Sequence, residues 1–157
     1  MARLAAAGAV DHRSLLAHGV HLDAAEIATI ADAGATVVHN ARSNMNNGVG
    51  RTPLAAIGER VALGTDGIGG NVLEAFRLAY VLQRSVDVTC GPGTAWGWLE
   101  AGWDLVPEAR GDEVTWSYDP MDPWHIAFTP GIMPRRIRID GQEVFADTMA
   151  VLKSLAG

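Results

Sequence analysis

A single cysteine, Cys90, among 157 residues leaves no partner for an intrachain disulfide, which fits a reducing compartment. Basic residues are also scarce. Twelve Lys and Arg stand against 18 Asp and Glu, for a formal charge of −6, and no basic cluster exceeds the pair Arg135 and Arg136. Nucleic acid is therefore excluded as a partner. No apolar run approaches the ~20 residues of a membrane span. The Ala-rich stretch from Ala5 to Val10 is too short for a signal-peptide core and runs into Asp11 and His12. These absences predict a cytoplasmic protein with no membrane partner. Aromatic residues make up 6% and charged residues 19%, yet 48% of the chain is hydrophobic and the 18 Gly and 7 Pro form no low-complexity block. Disordered, collagen-like and linker architectures are excluded, and one compact domain is the expected size.

The first apolar run, Ser14 to His18, predicts a short buried strand. Asp23 with Glu26 three residues later has the spacing of a capped helix N-terminus, and Ile27, Ile30 and Ala31 share one face before Gly34 stops the helix. Ala35 to His39 is apolar and largely β-branched, a second strand feeding a long polar loop from Asn40 to Arg51. Thr52 and Pro53 read as hydroxyl cap and first-turn proline of a short helix from Leu54 to Glu59, and Val61 to Thr65 as a third strand ending at Asp66. Asn71 and Glu74 repeat the cap spacing for a helix to about Arg84. Thr94 to Ala109 predicts another helix, with Trp96, Leu99 and Trp103 along a core face. After it the period changes to two. Val114 to Tyr118 and Arg135 to Asp147 alternate as strands, Asp140 and Gly141 mark a tight hairpin, and Thr148 to Leu155 predicts a terminal helix.

Three successive predicted strands thus end in His18, His39 and Asp66. In parallel α/β architectures the carboxyl ends of the strands form the ligand face, so these side chains are expected to converge. A histidine at one strand end is commonly structural; three ionisable residues at equivalent positions point to a shared site. Imidazole and carboxylate together can hold a divalent metal and manage the proton of a water, which hydrolysis of an unactivated C–N bond needs near neutral pH. The Gly64 to Gly70 loop invites a phosphate-cradling reading, but its glycine spacing is wrong and Asp66 in its middle repels phosphate. Cys90 has no histidine near it in sequence, and a lone cysteine is as a rule inert. His12 and His21 read as surface or supporting residues, and His125, beside Trp124, as packing.

Ala17-His18-Gly19-Val20-His21-Leu22, Val38-His39-Asn40-Ala41-Arg42-Ser43-Asn44-Met45 and Leu63-Gly64-Thr65-Asp66-Gly67 resemble, in order and spacing, the second half of the metal-dependent amidohydrolase superfamily. The similarity is to the branch of chlorohydrolases, nucleobase deaminases and related aminohydrolases. It covers roughly Arg3 to Tyr80, and Trp124 to Asp147 is similar to the strands with which such enzymes return to a small β-sandwich. The resemblance implies that Asp66 binds the metal and takes a proton from the attacking water. It implies that His18 holds the metal-bound water or the substrate, or is itself a metal ligand, and that His39, Ser43 and Asn44 shape the substrate pocket. It further implies a zinc or iron ion and a small amine or heterocycle as substrate. The family's first-strand His-x-His pair, and its fifth-strand histidine followed by a catalytic glutamate, have no counterpart here.

A whole (β/α)8 barrel takes ~250 residues, so the expected fold is α/β. Residues 1–112 would be a partial barrel of about three βα units, 113–147 strands of the accessory β-sandwich, and 148–157 a C-terminal helix. The chain reads as a C-terminal piece of such an enzyme. Two functional readings follow. Either the chain supplies Asp66 and His18 to a hydrolytic site completed by another polypeptide, such as a complementing N-terminal half, or it is a catalytically inactive, self-associating fragment. In both, open sheet edges predict a homo-oligomer whose interface includes Leu15, Leu16, the segment Met1 to Val10, Trp96 and Trp98.

Overall fold

Val61, Ala62 and Leu63 are all buried, the continuous apolar run expected of a parallel strand covered on both faces. They form β3 (Val61–Leu63), which pairs in parallel with β2 (Thr36–His39), itself paired in parallel with β1 (Leu15–Ala17). The sheet order is β1-β2-β3, with Leu16 opposite Val37 and Val38 opposite Ala62. This is an α/β arrangement. The computed structural model describes residues 1–106, 108, 111–117 and 133–146. The predicted helix from Thr148 to Leu155, and Trp124 and His125, lie outside the described residues. The chain divides into two compact units, Met1–Gly102 and Trp103–Gly157.

In the first unit α1 (Ala2–Ala6) precedes β1, and α2 (Ala24–Ala33) connects β1 to β2. Asp23 accepts from the Glu26 amide at 2.8 Å and Glu26 accepts from the Asp23 amide at 3.4 Å, so the predicted capping box is formed. Gly34 ends α2 in the left-handed conformation. Two short helices, α3 (Ala41–Asn46) and α4 (Leu54–Ile57), lie between β2 and β3. A 3-10 turn, Asp66–Ile68, follows β3 and leads to α5 (Val72–Arg84), which Asn71 caps by accepting from the Glu74 amide at 3.2 Å. The last helix among the described residues is α6 (Pro92–Asp104). Among the described residues no helix is long and apolar enough to cross a membrane.

Several expectations are corrected. β1 is not a buried strand: among the described residues it has a strand neighbour on one side only, and Leu15 is 55% exposed. The Asn40 to Arg51 segment is not all loop, because α3 occupies its first half while Ser43 and Asn44 direct their side chains into tertiary hydrogen bonds rather than against their own backbone. α6 starts at Pro92 and ends at Asp104, short of Ala109; the proline at 107 disfavours helix at the residue before it. Its buried face runs through Ala95, Trp98 and Leu99, at i, i+3 and i+4, and leaves Trp103 exposed. Trp98 is therefore core rather than free surface. Trp96 is half-buried, edge-on to Phe76 with ring centroids 5.7 Å apart.

The second unit contains an antiparallel sheet ordered β4 (Glu113–Ser117), β5 (Met133–Ile139), β6 (Gln142–Ala146). Ile139 faces Gln142 across a two-residue turn in which Asp140 and Gly141 have φ of 51° and 75°. Two successive positive φ values define the turn that matches strand twist, as Asp-Gly predicts.

Candidate functional site

His18 and Asp66 follow the two outer strands of the parallel sheet, and both hold left-handed backbone, with φ of 68° and 52°. Such conformations are uncommon outside glycine and persist where surrounding contacts fix them. The His18 amide donates to the Val38 carbonyl at 2.9 Å, so sheet pairing continues one residue past β1 as the chain turns off. The result is a close approach: His18 Nε2 stands 3.6 Å from Asp66 Oδ2, with both side chains about 40% exposed (41% and 39%).

Each partner is anchored from α3. Ser43 donates its hydroxyl to Asp66 Oδ2 at 2.6 Å, while the Gly67 amide donates to Oδ1 at 2.7 Å. These two hydrogen bonds, the Ser43 one foremost, hold the Asp66 carboxyl below the usual carboxylate range, with His18 adding to the effect. Asn44, the next residue on α3, places Oδ1 2.8 Å from His18 Nδ1. Ser43 and Asn44 are both buried, and Asn47 donates to the Ser43 hydroxyl at 3.3 Å. A cavity of about 500 Å³ opens beside His18 and is lined further by His21, Leu22, Asn44 and Asn47.

His39 behaves differently. It is 4% exposed and bonds through Nδ1 to the Thr52 hydroxyl at 2.9 Å. Burial, followed by the charge of Arg51 and then His18, pushes its pKa down to about 4, so it is neutral near pH 7. The close packing of β2 and β3 at this end depends on Gly64: a Cβ there would lie 2.2 Å from Asn40 Oδ1 and 2.7 Å from Val38 Cγ1.

The structure thus brings His18, Asp66, Ser43 and Asn44 into one network and joins His39 to it through Thr52. Sequence reasoning misses Thr52. The N-cap of α4 is Pro53 rather than Thr52, and the Thr52 hydroxyl instead donates to the His18 carbonyl at 2.5 Å. A signal was available: the residue three positions on is Ala55, which cannot complete a capping box.

Two donors bound to one tetrahedral ion at ~2.1 Å would be about 3.4 Å apart, close to the 3.6 Å between His18 and Asp66. The pair fits as half of a metal site. Among the described residues no cluster of three or more His, Cys, Asp or Glu side chains is placed to hold an ion.

A model of the amidohydrolase family matches residues 2–101. The chain belongs to the amidohydrolase family. Its similarity to a 5-methylthioadenosine/S-adenosylhomocysteine deaminase from Pyrococcus furiosus is 42% identity over 84 residues, which is 49% of this chain and 20% of the relative. The matched region thus spans about a fifth of the length of such curated relatives. The structure of a zinc-bound adenosine deaminase from Xanthomonas campestris superposes with a TM-score of 0.75 at 23% identity, over 99% of this chain and 44% of that one. A variant of the atrazine chlorohydrolase from Arthrobacter aurescens, complexed with zinc and atraton, gives a TM-score of 0.66 at 21% identity, covering 98% of this chain and 42% of that one. These likenesses place the fold among amidohydrolases.

Proposed function

We propose that this amidohydrolase-family chain contributes His18 and Asp66 to the site of a metal-dependent hydrolase of the deaminase or chlorohydrolase type, which breaks a non-peptide C–N bond in the first case and a C–Cl bond in the second. In this reading β1–β3 and their helices are the last three βα units of a (β/α)8 barrel, and β4–β6 are strands of an accessory β-sandwich. The observation that carries it is the 3.6 Å approach of His18 Nε2 to Asp66 Oδ2 at the carboxyl end of a parallel sheet, the face on which such sheets bind ligands. The substrate is a small heterocyclic amine; relatives named as deaminases of 5-methylthioadenosine, S-adenosylhomocysteine and 5'-deoxyadenosine support a purine nucleoside.

When bound, a zinc or iron ion acidifies water and polarises the carbon under attack. His18 Nε2 and Asp66 Oδ2 are the residues here that would hold it, with the remaining donors supplied from outside the described residues. Asp66, kept ionised by Ser43 and Gly67, takes a proton from the attacking water. A C–O bond forms at the ring carbon as the C–N bond breaks, and the proton leaves with the amine as ammonia. His39, neutral and buried, shapes the pocket floor with Ser43 and Asn44.

Ammonia release from adenosine-type nucleosides tests the reading. The purified chain with zinc is expected to give no turnover, and co-expression with a polypeptide carrying a His-x-His pair is expected to give turnover that Asp66→Ala abolishes. Complemented turnover indifferent to Asp66→Ala would overturn the assignment. A second reading, a non-catalytic self-associating chain, draws support from the exposure of Leu15 on an edge strand; light scattering that gives a monomer mass would remove it.

A further inference from the structure

Thr52 is 2% exposed, and its hydroxyl oxygen has three polar neighbours: the His18 carbonyl oxygen at 2.5 Å, His39 Nδ1 at 2.9 Å and Asn44 Nδ2 at 3.3 Å. A hydroxyl has one proton to give and two lone pairs to share. A carbonyl oxygen only accepts, so the Thr52 proton goes to His18. Both lone pairs then face nitrogens, and both nitrogens must donate. His39 therefore carries its hydrogen on Nδ1. Asn44 turns its NH2 end to Thr52, which leaves its carbonyl end 2.8 Å from His18 Nδ1. That oxygen accepts as well, so His18 also carries its hydrogen on Nδ1. The flipped amide is excluded, because it would set the Asn44 carbonyl against a hydroxyl whose only proton is already committed.

We propose that Thr52 is a positioning residue that fixes the ring tautomers of both histidines, His39 directly and His18 through Asn44, so that Nε2 is the lone-pair atom of each ring in its neutral form. The circuit is closed: it starts at the His18 carbonyl, passes through Thr52 and Asn44, and returns to the His18 ring. Its product at the strand ends is a His18 Nε2 lone pair 3.6 Å from Asp66 Oδ2, the arrangement a shared cation requires. A partner on the far nitrogen is the usual means of fixing which nitrogen of an imidazole ligates. The tautomer assignment stands without the proposed activity; only its use for metal binding rests on that reading.

Long-range 15N–1H correlation spectra of the histidine rings in the full chain, free of metal and at a pH above the ordinary imidazole range, test this directly. Single variants His18→Gln and His39→Gln assign the signals. The wild-type chain is expected to show a protonated Nδ1 and an unprotonated Nε2 in both rings. Thr52→Val, which keeps the shape and removes the hydroxyl, is expected to lose the single tautomer at His18, and Thr52→Ser to retain it. A protonated Nε2 on either ring of the wild type overturns the proposal whether or not Thr52→Val folds. An unchanged His18 pattern in a folded Thr52→Val chain overturns it too, as does loss of the pattern in Thr52→Ser. No ion and no turnover are needed, so failure here leaves the hydrolase reading standing. The expected tautomers in a chain without metal affinity would sink that reading alone.

Discussion

Acidification should destabilise the parallel unit through His39 before any carboxylate contributes. His39 is 4% exposed, and its pKa is about 4 in the folded chain against ~6.5 when unfolded. The unfolded state therefore binds the proton first. Stability is untouched above about pH 6.5, falls as the pH drops through the interval, and has lost the whole increment near pH 4. About 2.5 pH units at about 1.36 kcal/mol each is roughly 3 kcal/mol, a sizeable share of a typical folding free energy of ~5–15 kcal/mol. Asp11, Asp66 and Asp87 all lie below the usual carboxylate value, so their contributions enter at lower pH and leave the window from about 6.5 to 4.5 to His39. Urea denaturation followed by tryptophan fluorescence across that window gives the slope, expected to approach ~1.4 kcal/mol per pH unit. His39→Gln keeps a hydrogen-bonding group near Thr52 and removes the titration, so its profile should be flat there even if its baseline is lower. Parallel profiles for the two chains, or a His39 ring titrating near 6.5 by NMR, would show that burial of His39 does not set the acid sensitivity.

Two further substitutions probe the supports of the site. Gly64→Ala drives a Cβ onto the Asn40 amide and Val38, and overpacking of this kind costs about 1–3 kcal/mol; the urea midpoint should fall accordingly, and an unchanged midpoint would show that β2 and β3 separate freely at this end. Asp23→Ala removes the capping box of α2 and should lower stability by ~1 kcal/mol, with Asp23→Asn retaining most of it; equal losses in the two variants would contradict the capping account.

Local signals account for most of what could be read ahead of the structure. Asp23 with Glu26, Asn71 with Glu74 and Asp140 with Gly141 each encode a cap or turn in adjacent residues, and each is found as read. The strands were legible because Val37, Val61 and their neighbours form apolar runs with no competing period. What escaped is tertiary. The apolar run Ser14 to Ala17 taken alone reads as a buried strand; only the small number of βα units marks β1 as an edge, where Leu15 is exposed. The buried side of α6 passes through Trp98 instead of Trp103, because the helix ends before the Thr94 to Ala109 pattern does. The strand-end positions of His18, His39 and Asp66 were legible from sequence order alone, whereas the hydroxyl that links two of them was not. Thr52 before Pro53 looks like a cap although Ala55 cannot complete the box, and it is the approach of the His18 carbonyl across the fold that redirects its hydroxyl.

Zinc titration of the metal-free chain by calorimetry measures whether the proposed pair, His18 and Asp66, binds a cation. Two donors should give one weak site per chain that His18→Ala or Asp66→Ala each abolishes, while His39→Gln leaves it in place. Zinc affinity that survives Asp66→Ala unchanged would mean that Asp66 is not a cation donor.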